Sequence, residues 1–239
     1  MADSDTGRRS FRVRSQGVTA AFVAALVMFQ FGCQPRYGGS NAGVEASSNA
    51  NVKIPAEAFI FNSRLRRDGK PTTVKLELYH ADTVIGLSGR AYLGKGALKG
   101  RLTADSLIVY FPASNEYVRE ALSDLAARAE CPIPLTQLHL LDLFRHTPDS
   151  VELPPEVKVE GNYKDDDHPS FVIFVEGCPW QVEVEYEHHN EGWRPKRFEF
   201  DDGDRLSFKA ETERFKGNAK VEQGRFEVAV PSGAVRISP

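Results

Sequence analysis

Few side chains in this sequence stand where they could do chemistry. Ser106, His139 and Asp142 supply the residue types of a serine hydrolase, but the Gly-x-Ser-x-Gly turn that exposes such a nucleophile is absent. Asp165-Asp166-Asp167-His168 offers carboxylates to a cation. Consecutive side chains of an extended stretch point to opposite sides, so only part of that run can reach one ion. Neither the glycine nor the distal glutamate of an EF-hand loop follows, and a solvated turn accounts for the run. His188-His189 shares this adjacency at the tip of an expected hairpin, while His139 and His146 fit one polar face of a helix. No catalytic residue, metal site or cofactor is assigned, and the expectation is a protein that is not an enzyme.

The cysteines carry more information. Cys33, Cys131 and Cys178 form no CxxC and no Cys/His spacing suited to a metal. Cys33 closes an apolar run that begins at Val18 and follows Arg8, Arg9, Arg12 and Arg14, the pattern of a secretory leader. A bilayer-spanning helix needs about 20 apolar residues, and this run is shorter and interrupted by Gln30. Gly32-Cys33 resembles the lipobox of bacterial lipoproteins, although Gln30 and Phe31 differ from the usual residues there. The resemblance implies acylation of Cys33; the alternative is an ordinary signal peptide with an incidental cysteine. Thr6-Gly7-Arg8-Arg9-Ser10-Phe11 also resembles a twin-arginine export signal, with Arg12 and Val13 in place of the usual Leu-Lys.

The expected organisation is a signal peptide over 1–32, a lipidated N-terminus and flexible Gly/Ser/Asn-rich tether over 33–54, and one domain over 55–239. With Cys33 acylated, Cys131 and Cys178 either pair in an oxidising compartment or remain two buried thiols. Pairing would close a loop of about fifty residues and stabilise the fold by ~4 kcal/mol. Net charge is −3, and setting aside the +2 of residues 1–32 leaves −5 for the remainder. No basic patch dominates, which argues against nucleic acid as a partner.

Period-two alternation marks most of the elements. Val74, Leu76 and Leu78 share one face of a strand, Leu107 to Phe111 form a more buried one, and Val182, Val184 and Tyr186 alternate with glutamates. Residues 55–67 fit a short helix or a first strand. Tyr117, Ala121, Leu122, Leu125 and Ala129, then Leu135, Leu138, Leu141 and Phe144, recur at helical spacing and predict a helical pair inserted midway. After it the chain returns to strands, which finish with Phe226, Val228, Val230, Val235 and Ile237. The expected class is mainly β with α, an antiparallel sheet with a short helical insert. The helices either pack on the sheet as a solid core or lie as a lid over a cavity.

Two segments carry a family resemblance. Gly100-Arg101-Leu102-Thr103-Ala104-Asp105-Ser106-Leu107-Ile108-Val109-Tyr110-Phe111-Pro112, with Asn115-Glu116-Tyr117 behind it, resembles the strand ending in Tyr-x-Pro before the helical lid of the LolA/LolB group of periplasmic lipoprotein carriers. Phe226-Glu227-Val228-Ala229-Val230-Pro231-Ser232-Gly233-Ala234 resembles the last strand of that group. The likeness spans roughly residues 55–237 and implies a strongly curved, half-open barrel closed by helices over an apolar cavity for acyl chains.

By that resemblance the cavity walls would be Leu76 and Leu78, then Leu107, Val109 and Phe111, then Phe174, Val182 and Val184, and finally Phe198, Phe200 and Phe208. The lid would present Leu122, Leu125, Leu138 and Leu141. A membrane-engaging hairpin loop would fall near Leu93 and Leu98, around Gly94-Lys95-Gly96. Trp180 and Trp193 flank one strand, where each could meet lipid or cap a core edge. The expected function is a lipid-anchored protein on the periplasmic face of the outer membrane that binds acyl chains of a lipid or lipoprotein, with a role in lipoprotein localisation. The alternative is an anchored accessory subunit of an envelope assembly, with a filled core and a protein partner.

Overall fold

Asp68 and Gly69 set the register of the first hairpin. They join β1 (Lys53–Arg67) to β2 (Lys70–Ala81) with φ of 46° and 77°, the left-handed pair that a two-residue type I′ turn requires and that Asp-Gly supplies readily. With the turn fixed at two residues, Arg67 faces Lys70, Phe59 faces Leu78 and Glu57 faces His80. Residues 55–67, open between helix and strand by sequence, are therefore strand.

The computed structural model describes residues 52–91, 96–124, 131, 142–162, 168–190, 192–203 and 206–237. The leader, Cys33, the tether up to residue 51, the hairpin tip with Leu93, Gly94 and Lys95, the run Asp165 to Asp167, and His139 lie outside the described residues, and Lys53 and Ile54, expected in the tether, open β1.

After β2 the meander continues through β3 (Val84–Arg90), β4 (Gly96–Leu102), β5 (Ser106–Phe111) and β6 (Glu116–Ala121). A second meander runs through β7 (Val157–Asn162), β8 (Ser170–Val175), β9 (Gln181–His189), β10 (Gly192–Asp201) and β11 (Leu206–Glu222). The long β11 pairs antiparallel with β1 from Leu206 opposite Arg67 to Glu222 opposite Lys53, which fuses both meanders. A two-residue strand, β12 (Val235–Arg236), lies parallel to β6. The result is one sheet of twelve strands in the order β12-β6-β5-β4-β3-β2-β1-β11-β10-β9-β8-β7, whose end strands β12 and β7 do not pair.

The sheet curls. Phe61 on β1 and Phe198 on β10 are separated by β11, about 10 Å across a flat sheet, yet their ring centroids lie 5.9 Å apart on the inner face. Bulges assist the bend: the β1/β11 register shifts between Ala56 and Ala58 and again between Ile60 and Phe61, and the β9/β10 register shifts between Pro195 and Arg197. Alternation then does the sorting. Phe59, Phe61 and Leu65, Leu76 and Leu78, Leu107 and Val109, and Phe198 and Phe200 are buried in one core cluster, while cross-strand ion pairs such as Lys75 with Glu213 occupy the outer face.

Two expectations are corrected. Tyr117 and Ala121 belong to β6 and not to a helix; the helical conformation starts at Leu122, and Leu125, Leu138 and Leu141 lie outside the described residues. The chain end is also not a regular strand. Phe226 closes a 3₁₀ turn (Gln223–Phe226), Val228 and Val230 lie in no strand, and beyond them Val235–Arg236 is strand.

That final segment crosses the outer face. Phe226 packs with Ala56 and Val221 in a small second cluster, its ring 6.4 Å from that of Tyr79. Gly86 of β3 lets it approach, because a Cβ there would lie 2.5 Å from the Arg225 carbonyl oxygen. Gly86→Ala is accordingly expected to cost about 2 kcal/mol by overpacking, read as a lowered melting temperature without loss of the far-ultraviolet β signal.

Candidate functional site: the apolar inner face and its cover

The inner face is apolar because each strand contributes every second residue to it. Of the eleven wall residues expected from sequence, ten are buried in the core cluster. Phe174 is the correction: it has the opposite parity to Phe171 and Ile173, which are the buried residues of β8, and so it faces outward and is half-buried. The run Phe171 to Val175 is apolar on both faces and carries no alternation from which its parity could be read.

Described residues between β6 and β7 cover this face. Leu143 is buried in the core, and Leu122, Cys131, Phe144, Val151 and Leu153 pack against it. Phe144 stands over the middle, with ring centroids 5.2 Å from Phe59 and 5.5 Å from Phe198. Phe59 also contacts Phe215 at 4.7 Å. Ser63 is a polar point in this lining: its Oγ is buried and has no partner among the described residues.

The cover is tied chiefly to the β8 to β10 limb. Cys131 is disulfide-bonded to Cys178, which follows β8, with their Cα atoms 5.6 Å apart. Trp180 is buried and donates from Nε1 to the Cys131 carbonyl at 3.2 Å, so it caps a core edge. The Tyr186 hydroxyl donates to the Leu143 carbonyl at 2.9 Å, and burial, with the charge of Asp149, pushes that phenol well above its ordinary pKa. On β10, Arg194 donates to the Arg145 carbonyl at 3.3 Å.

A charged cluster ties the same cover to β1 and β2. Glu57 accepts from Arg145 Nε at 3.2 Å, lies 2.9 Å from His80 Nδ1, and meets Arg194 at 3.5 Å. His80 Nε2 lies 2.9 Å from the Asp82 carbonyl oxygen. The Arg145 guanidinium also reaches His80 Nδ1 at 3.3 Å, so the ring stands among a carboxylate, a backbone carbonyl and a cation. Arg194 lies over the Phe215 ring at 5.0 Å, and His80 and Arg194 are each only 4 % exposed. Burial alone would push the Glu57 carboxyl up; the His80 hydrogen bond and the two guanidiniums outweigh it and hold the group below its ordinary value.

Sequence reasoning missed this cluster. Its signal was the Asp68-Gly69 turn: a two-residue hairpin counted outward places Glu57 opposite His80. Arg145 and Arg194 carry no comparable mark. The other sequence candidates do not converge. Ser106 Oγ is 3.0 Å from Thr103 Oγ1 in a local turn, Asp142 is exposed, His188 packs on Trp193, and His189 lies 3.0 Å from Glu187. Among the described residues, no group of three His, Cys, Asp or Glu could hold a metal ion, and no helix is long and apolar enough to cross a membrane.

Fold and site together define a mainly antiparallel β protein, one curled twelve-stranded sheet with an apolar inner face under a short cover. No protein-family model matches the chain. No curated protein matches it either. Among solved structures it is similar to an uncharacterized conserved protein from Thermus thermophilus, with 11% identity, a TM-score of 0.41, and coverage of 76% of this chain and 89% of that one. It is also similar to a DUF1329 family protein from Desulfovibrio piger, with 10% identity, a TM-score of 0.44, and coverage of 86% and 95%.

Proposed function

We propose that the protein binds an apolar ligand, the acyl chain of a lipid or lipoprotein, on the inner face of its sheet, and that Cys33 anchors it by lipid to the periplasmic face of the outer membrane. One observation carries the binding reading: a continuous apolar face lies under a cover that is covalently fixed to one limb and held to the other by a charged cluster and by Phe144. Release of Arg145 from Glu57 and His80 would let the cover swing with the β8 to β10 limb and expose Phe59, Phe61 and Phe198. Each methylene that entered would contribute ~0.8 kcal/mol, so affinity needs no catalytic group.

A second reading, a filled core serving an anchored accessory subunit, is favoured by the dense aromatic contacts among Phe59, Phe61, Phe144, Phe198 and Phe215. Titration of the full chain with parinaric acid, a fluorescent fatty acid, separates the two. Saturable uptake that survives at high salt is expected for the carrier. No uptake, with a bare native mass before denaturation, would overturn it in favour of the accessory subunit.

A further inference from the structure

The outer face of the sheet holds a second feature, independent of the inner one. Arg64 and Arg66 are two apart on β1, so they share its outer face about 7 Å from each other. In the β1/β11 register Arg64 lies directly opposite Lys209, and Arg66 opposite Ser207. In the next pair Lys209 lies opposite Glu199. These residues, with Phe208, line a concavity of about 260 Å³.

Its charge is unbalanced, three cations against one carboxylate. Cations on nearby strands of that face have a carboxylate: Lys75 on Glu213 at 2.7 Å, Lys196 on Glu185 at 2.8 Å, Arg197 on Glu183 at 3.3 Å. In the concavity Glu199 sits 3.6 Å from Lys209, and Arg64 and Arg66 have no carboxylate partner among the described residues. Like charges directly opposite across a strand pair are destabilising, so a fold that keeps Arg64 against Lys209 carries a cost that a bound anion would remove.

We infer that this concavity binds a phosphate group. Two guanidinium forks suit the oxygens of a phosphate in the bidentate manner, Lys209 adds a point charge, and the Ser207 hydroxyl can donate to a remaining oxygen. The volume admits the phosphate and the first atoms of an ester. That chemistry belongs equally to free phosphate and to the phosphodiester headgroup of a phospholipid.

The test is calorimetric titration of the full chain at constant ionic strength with inorganic phosphate and with glycerophosphoglycerol. The second is a phospholipid headgroup without acyl chains, so the result does not depend on the inner face. Saturable binding of either probe is expected, the tighter one naming the source. The double variant Arg64→Gln/Arg66→Gln should weaken it by at least about tenfold, while Lys75→Gln, on the same face but ion-paired, should stay within about twofold. The double variant should melt no lower than the parent, since it removes repulsion. Arg64→Lys/Arg66→Lys, which keeps charge and loses the forks, should fall between the two. Absence of binding by both probes, or equal losses in the Lys75 and Arg64/Arg66 variants, would overturn the proposal.

Discussion

Glu57→Gln is expected to lower the melting temperature at pH 7 by roughly 6–12 °C, the equivalent of about 3 kcal/mol in a domain of this size. The amide keeps the shape and removes the carboxylate that faces His80, Arg145 and Arg194, leaving the buried Arg194 charge without that partner. The pH dependence follows from sign. The folded protein holds Glu57 below its ordinary value of 4.5, so the stability it contributes is fully present above about pH 5.5 and is lost as pH falls through the lower, folded value. The gap between parent and variant should therefore be constant near neutrality and narrow below about pH 4.5. A gap that stays unchanged down to about pH 3 would refute the role of the carboxylate.

The second large effect belongs to the disulfide. Cys131→Ala/Cys178→Ala should destabilise the protein by about 4 kcal/mol, the closure entropy of a loop with a separation of 47 residues, or roughly 8–16 °C. Reductant should reproduce the shift in the parent and leave the double variant unmoved. Because this bond holds the cover to the β8 side, reduction should also raise the rate at which parinaric acid enters. Reductant without effect on the parent would show that the bond contributes nothing.

These two results rest on features that were unequally legible in sequence. Period-two alternation disclosed the strands wherever an inner apolar face met a wet outer one, as in Val182, Val184 and Tyr186. It failed at β6, where Glu120 turns inward beside Val118 and meets Arg236, so no apolar face remained and the flanking residues read as helical. It failed again at the far end of β11, where the half-buried Phe215, Gly217 and Ala219 alternate with charged and polar residues too sparsely to mark a strand. The pairing of Cys131 with Cys178 was one of two readings, since a separation in sequence fixes no geometry. The Glu57 cluster joins four segments distant in sequence, and only its Glu57 and His80 half was countable from a turn.

The two margins of the sheet differ in what they can accept. On one side β12 occupies the edge of β6 with the two residues Val235 and Arg236; on the other, no described strand pairs with the outer edge of β7. In terms of valence, the described residues leave the edge of β7 open, while β12 covers only Glu116 and Tyr117 at the start of β6. Two copies that met by β7 against β7 would do so about a twofold axis, and the union would consume both β7 edges. Head-to-tail growth needs two open margins, and β12 narrows the second by covering the start of β6. A truncation ahead of Val235 would widen that second edge and favour head-to-tail growth over closed pairing.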